Sequence, residues 1–137
     1  MKASRCNTGA IARLLVVEDF PPFQRFICTT LGERLDWRVI AVVADGLEAV
    51  QKAAELKPDL ILLDIGLPMI NGIEVARQVR QLSPESKIVF LSQHTSADVV
   101  EEALGTGAWG YVVKTKAATQ LLGVVEAAIS GTRSVNA

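Results

Sequence analysis

Three carboxylates in this sequence stand directly after apolar runs, where side chains can gather to do chemistry. Glu18 and Asp19 follow Leu14-Leu15-Val16-Val17, and Asp64 follows Leu60-Ile61-Leu62-Leu63. Neighbouring side chains on a regular strand point to opposite faces, so Glu18 and Asp19 converge only if the strand ends there. If the two strands are neighbours, all three acids meet at one edge of a sheet. Such a cluster repels itself unless a cation or a proton intervenes. Oxygen ligands with room for waters suit Mg2+, which takes few protein carboxylates and keeps part of its hydration shell. Ser92, after Lys87-Ile88-Val89-Phe90-Leu91, supplies a hydroxyl, and Lys114, after Tyr111-Val112-Val113, supplies a long cation. Alone, such a serine reads as a helix cap and such a lysine as a solvated surface residue. With the acids they suit phosphoryl transfer: Asp64 attacks phosphorus, Mg2+ and Lys114 offset charge, and Ser92 donates to a third oxygen.

These positions require strands that end together. Leu60 to Leu63 show no alternation of polarity, so both faces of that strand are expected to be buried, as in a parallel sheet covered by helices. Apolar runs predict strands at 13–17, 38–43, 60–63, 87–91 and 110–113. Amphipathic spacing predicts helices over 22–32, 47–56, 72–82, 97–104 and 118–130. Pro21-Pro22 suits the first turn of a helix. Gly66 and Pro68 break the chain after Asp64 before Asn71-Gly72 opens the next helix. Pro58 and Pro84 fall in loops, and Ser96 is placed to cap a helix N-terminus. Alternating strands and helices with short connections predict a doubly wound α/β fold. Ligands bind such sheets just beyond the carboxyl ends of the strands, which is where Asp64 falls.

Bulk properties narrow the function classes. The chain has 137 residues, 50% hydrophobic and 21% charged, the size and composition of one globular domain. Its net charge of −1, without a long basic block, gives no strong attraction to nucleic acid or anionic membrane. No apolar run approaches the roughly 20 residues of a membrane span, and 14–17 is too short for a signal-peptide core. Cys6 and Cys28 lack metal-ligand spacing and read as free thiols of a cytoplasmic protein, with a disulfide between them the unsupported alternative.

The ordered set Glu18-Asp19, Asp64-Ile65-Gly66-Leu67-Pro68, Asn71-Gly72, Ser92, Gly107-Ala108 and Gly110-Tyr111-Val112-Val113-Lys114 resembles the receiver domain of bacterial two-component response regulators. Each motif alone is weak; in register at successive strand ends they form a strong signal. The resemblance covers 11–131, leaving 1–10 as a flexible tail and 132–137 as a tail or the start of a linker. It implies a flavodoxin-like, five-stranded parallel sheet of order 2-1-3-4-5 with five flanking helices.

By that resemblance Asp64 accepts a phosphoryl group from a sensor histidine kinase or phosphotransfer protein. Asp19, Asp64 and the Gly66 carbonyl would hold Mg2+ (or Mn2+), with Glu18 acting through a water. Lys114 would bridge Asp64 at rest and the phosphoryl group afterwards; Ser92 would move toward it and Tyr111 would swing inward behind. The surface implied to change is the fourth helix, fifth strand and fifth helix. Stretches 105–114 and 125–133 look most like receivers of LuxR/NarL-type transcription regulators, which continue into a helix-turn-helix domain. No such module fits in 132–137, so this chain alone is expected to make no nucleic acid contact. A lone receiver acting through proteins and one piece of a longer regulator both stay open.

Other residues carry finer expectations. Gln93 stands where receivers often have a small residue; it is expected to crowd the phosphoryl group and slow both its arrival and its hydrolysis. His94, the single histidine, has no partner at ligand spacing and reads as a loop residue. Leu121, Val124, Val125 and Ala128 make a core stripe on the last helix. Leu122, Ile129 and Trp109 lie beside it, either as an exposed patch for a partner or homodimer or as the margin of a wide buried stripe. Trp37 reads as partly buried. No separate substrate is expected, so the chain is not read as an enzyme, although it would catalyse its own phosphotransfer and dephosphorylation. Two other readings compete: a phosphorylation-independent protein-binding module, and an aspartyl-phosphate hydrolase. The hydrolase needs a second acid near the nucleophile, and Gly66 occupies that place.

Overall fold

A computed structural model of the chain describes residues 11–136. The tail expected at 1–10, with Cys6, lies outside the described residues. The elements are β1 (Ala12–Val17), α1 (Pro21–Leu31), β2 (Trp37–Val43), α2 (Gly46–Leu56), β3 (Leu60–Leu63) and α3 (Gly72–Leu82). They continue as β4 (Lys87–Ser92), α4 (Ala97–Leu104), β5 (Gly110–Val113), a 3-10 turn at Lys114–Lys116, α5 (Ala117–Ile129) and β6 (Ser134–Asn136). The strands form one parallel sheet, ordered β2-β1-β3-β4-β5-β6. The first five strands and their order match the flavodoxin-like expectation, with boundaries moved by at most a residue at an end.

The unbroken apolar strands feed two cores. Leu60 and Leu62 of β3 point into one, with Leu14, Val16, Val89, Leu91 and the inner faces of α1 and α5. Ile61 and Leu63 point into the other, with Leu15, Val17, Ile88, Phe90 and the inner faces of α2, α3 and α4. Period-two geometry therefore divides β1 to β5 between two layers. The stripe Leu121, Val124, Val125 and Ala128 is fully buried. Leu122, Ile129 and Trp109 are partly buried against the α1–α5 core, so the wide buried stripe describes that helix. Trp37 is buried.

The helix starts follow local chemistry. Pro21-Pro22 opens α1. Asn71 caps α3 by accepting the Glu74 N–H at 3.0 Å, and Ser96 caps α4 through the Val99 N–H at 3.3 Å. Among the described residues no helix is long and apolar enough to cross a membrane.

A short sixth strand adds to the expected five, within the 132–137 stretch read as a tail or the start of a linker. It runs along β5, pairing Gly110 with Ser134, Tyr111 with Val135 and Val112 with Asn136. Arg133 anchors it, donating to the Gly107 and Ala108 carbonyls at 3.1 and 2.5 Å. Its guanidinium also lies 4.2 Å from the Trp109 ring centroid. The steps from β3 to β4 to β5 cross the sheet over the α3–α4 face. The step from β5 to β6 continues the same way over the α5 face, so its hand is reversed. One hand accounts for roughly 98% of such crossovers, which is why topology rules stop at β5.

Candidate functional site

The register of the sheet brings the predicted groups to one edge. Val17 pairs with Leu63, Leu63 with Phe90 and Ser92 with Val113, so the residues after these strands adjoin. The Asp64 N–H donates to the Val17 carbonyl at 3.1 Å, and the Glu18 N–H to the Val43 carbonyl at 3.0 Å. Carboxylate oxygens of Glu18, Asp19 and Asp64 all fall within 4.8 Å of one another. Glu18 is 1% exposed and Asp64 6%, whereas Asp19 faces solvent.

Lys114 neutralises part of this cluster. Its Nζ lies 2.8 Å from Glu18 Oε1 and 3.1 Å from Asp64 Oδ2. Burial pushes the Lys114 pKa down, but the Glu18 and Asp64 carboxylates outweigh it and hold the ammonium above the ordinary lysine value. Burial also dominates at Glu18, raising its carboxyl above the usual range despite Lys114 and the Phe20 N–H. Glu18 Oε2 accepts that N–H at 3.0 Å. Glu18 Oε1 is buried and close to the ammonium, yet off the angle for a hydrogen bond. This oxygen is thus held deep in the cluster by its ion pair with Lys114.

The loop after Asp64 is held by backbone proximity. The Gly72 N–H donates to the Ile65 carbonyl at 2.8 Å, and a Cβ at Gly72 would run into the Asp64 carbonyl oxygen. A glycine is therefore needed there for the start of α3 to approach the acid. Gly66 faces open space, and a Cβ there would meet nothing within 4 Å. At the tip of this loop Met69 adopts a left-handed conformation, φ 74°.

On the other side, Ser92 is fully buried and its Oγ accepts the His94 N–H at 3.1 Å. The Tyr111 hydroxyl donates to the His94 carbonyl at 2.8 Å. The Tyr111 ring is already 0% exposed, so in this state it occupies the inward position to which the resemblance has it swing. Burial raises the pKa of its hydroxyl. The strand-end residues line a cleft of about 330 Å3 with Phe20, Gln93 and His94. A groove between α3 and α4 is larger, about 630 Å3. Its walls are an Arg77–Glu102 surface ion pair and helix ends, with no convergence of strand-end groups.

Glu18, Asp19, Asp64, Gly66, Gln93 and Lys114 line one cleft; Ser92, expected among them, is buried behind it with Tyr111. Sequence reasoning missed His94: the side chain is the expected exposed loop residue, but its backbone clasps both Ser92 and Tyr111. It also missed the Phe20 wall, whose only signal was its position directly after Glu18-Asp19.

Comparison with known proteins agrees with this geometry. Residues 14–126 match the response regulator receiver domain. The chain is 34% identical to the transcriptional activator protein ExaE of Pseudomonas putida, over 86% of this chain and 55% of that one. It is also 34% identical to the chemotaxis protein CheY of Listeria monocytogenes, over 85% of this chain and 97% of that one. The chain thus spans little more than half of ExaE and nearly all of CheY. A crystal structure of a LuxR-family response regulator from Aurantimonas sp. SI85-9A1 superposes with a TM-score of 0.86 at 30% identity, over 91% of this chain and 89% of that one. With the strand order, the acidic strand ends and the lysine all in place, this chain belongs to the receiver domain family of two-component response regulators.

Proposed function

We propose that Asp64 is a phosphoacceptor, charged by a sensor histidine kinase or phosphotransfer protein, and that the added charge controls a partner or output domain. The observation that carries this reading is the buried Asp64 held between two further carboxylates and the Lys114 ammonium at adjoining strand ends. In the reaction an Asp64 Oδ attacks phosphorus and the new P–O bond forms. The P–N bond to the donor histidine breaks and its imidazole retains the electron pair. Lys114 stays within reach of both Asp64 and the incoming oxygens, and the Ser92 hydroxyl can donate to a phosphoryl oxygen while still accepting the His94 N–H.

The acidic cluster fits a small divalent ion, Mg2+ or Mn2+: its donors are all oxygens, from three carboxylates brought together at adjoining strand ends. Asp19, Asp64 and the Gly66 carbonyl would hold the ion, with Glu18 acting through a water. When bound, the ion offsets charge on the phosphoryl oxygens. The chain has no separate substrate in this scheme and acts in the cytoplasm. The output surface is α4, β5 and α5, and control of transcription, as the name of ExaE states for that protein, is one outcome. A homodimer through this face is a second form of the same output.

A second reading is a phosphorylation-independent binding module, in which the buried Tyr111, bonded to the His94 carbonyl, would keep one position throughout. A hydrolase is less supported, because no acid stands at Gly66 to act as a general acid/base. Intact-mass measurement after incubation with Mg2+ and acetyl phosphate separates these readings. The phosphoacceptor gains a single phosphoryl mass that requires Mg2+ and is absent from Asp64→Asn. Failure to gain it, with partner binding unchanged in Asp64→Asn, supports the constitutive module.

A further inference from the structure

Phe23 carries no chemistry of its own, yet its ring centroid lies 4.8 Å from Lys114 Nζ. That distance is within the reach of cation–π attraction. The ring is half-buried at the edge of the α1–α5 core. It stacks at a tilt against Phe26, with centroids 5.2 Å apart. The same turn of α1 is tied to the acidic strand end, because Gln24 Nε2 donates to the Glu18 carbonyl at 2.5 Å. Pro21 and Pro22 stiffen the turn from the other side. The ring therefore has little freedom to leave the ammonium.

Lys114 has three partners in this state: Glu18, Asp64 and the face of Phe23. In the proposed phosphotransfer the two carboxylates are claimed by a divalent ion and by phosphorus. The aromatic face is claimed by neither. We infer that Phe23 is a positioning residue for Lys114, holding the ammonium beside Asp64 while the carboxylates exchange it for metal and phosphoryl group. This rests on the phosphoacceptor reading and adds to it a residue on α1 that touches no reacting atom.

A ring that merely fills space does the same work whatever its electronic character. The test is therefore to replace Phe23, in the full chain, with singly, doubly and triply fluorinated phenylalanine. Each fluorine drains negative charge from the ring face with little change of shape. Two quantities are read: the NMR shift of the Lys114 Hε protons without Mg2+, and the rate of phosphorylation by acetyl phosphate at saturating Mg2+. The native ring should shift the Hε protons upfield, and Phe23→Leu should abolish that shift. The rate should fall stepwise with fluorination, to about threefold in the triply fluorinated ring, as for a partly exposed cation–π contact. Phe23→Trp should stay close to the native rate. Native Hε shifts in Phe23→Leu, or a flat rate across the fluorine series in a chain that is phosphorylated normally, would overturn the inference and leave Asp64 as acceptor. A native chain that takes no phosphoryl group at all would overturn both.

Discussion

Glu18 shows how a single buried group sets the character of the acidic edge. Burial raises its pKa over the unfolded value. Between the unfolded and folded pKa the native state holds more protons than the unfolded one, so its stability falls as pH rises through that window. Glu18→Gln is therefore expected to melt at a higher temperature than the native chain at neutral pH. The difference should close as pH is lowered through the carboxylate range, and thermal melts at several pH values check this. Lys114 has the same sign of pH dependence in a higher window: its folded pKa is raised too, so its contribution is complete below the ordinary lysine pKa and is lost only as pH rises through the folded value. Gln93 is exposed on the cleft wall. Gln93→Ala is expected to speed both gain and loss of the phosphoryl group; an unchanged autodephosphorylation rate would contradict the crowding assigned to its side chain. Asp64 and Lys114 were legible in the sequence because each follows its own apolar run. Phe23 and the His94 backbone were not, because their roles depend on contacts with residues far along the chain.

The loop from Asp64 to α3 shows where local sequence is obeyed and where it is overruled. Asn71 and Gly72 do what their types suggest, one capping α3 and the other permitting its close approach to Asp64. Met69 does not: it is 70% exposed and holds a φ of 74° that side-chain-bearing residues avoid. Met69→Gly is expected to stabilise the chain by about 1 kcal/mol, a rise of a few degrees in Tm, because strain is relieved with little packing lost. A lower Tm would mean that Met69 packs in a way its exposure does not suggest. Strands β1, β3, β4 and β5 were legible because a strand buried on both faces reads as a continuous apolar run; β2, at the sheet edge and only partly buried, still carries an apolar run of its own. β6 was not, since Ser134–Asn136 is neither long nor strongly apolar, and its crossover has the opposite hand to those of β4 and β5.

At the scale of the whole molecule, two apolar cores bring the carboxyl ends of the site strands to one edge. Three charged groups of the site stand just beyond the last core residue of their strands: Glu18 after Val17, Asp64 after Leu63, Lys114 after Val113. The clasp from Ser92 through His94 to Tyr111 connects this edge to β5 and to the face bounded by α4 and α5. A charge change at Asp64 thus has a contiguous set of contacts through which to bias that face. The burial of both sheet faces was legible in the sequence, but not the inward placement of the Tyr111 ring, because rotamers of buried aromatics are set by packing and not by motif. All of this depends on phosphorus bonding to Asp64 itself. Borohydride reduces an acyl phosphate to an alcohol and marks the acceptor as homoserine, or its homologue if the acceptor is a glutamate. After treatment with Mg2+ and acetyl phosphate, peptide mapping should find homoserine at position 64 alone. A mark at Glu18 or Asp19 instead, or an equal yield without Mg2+, would contradict the assignment.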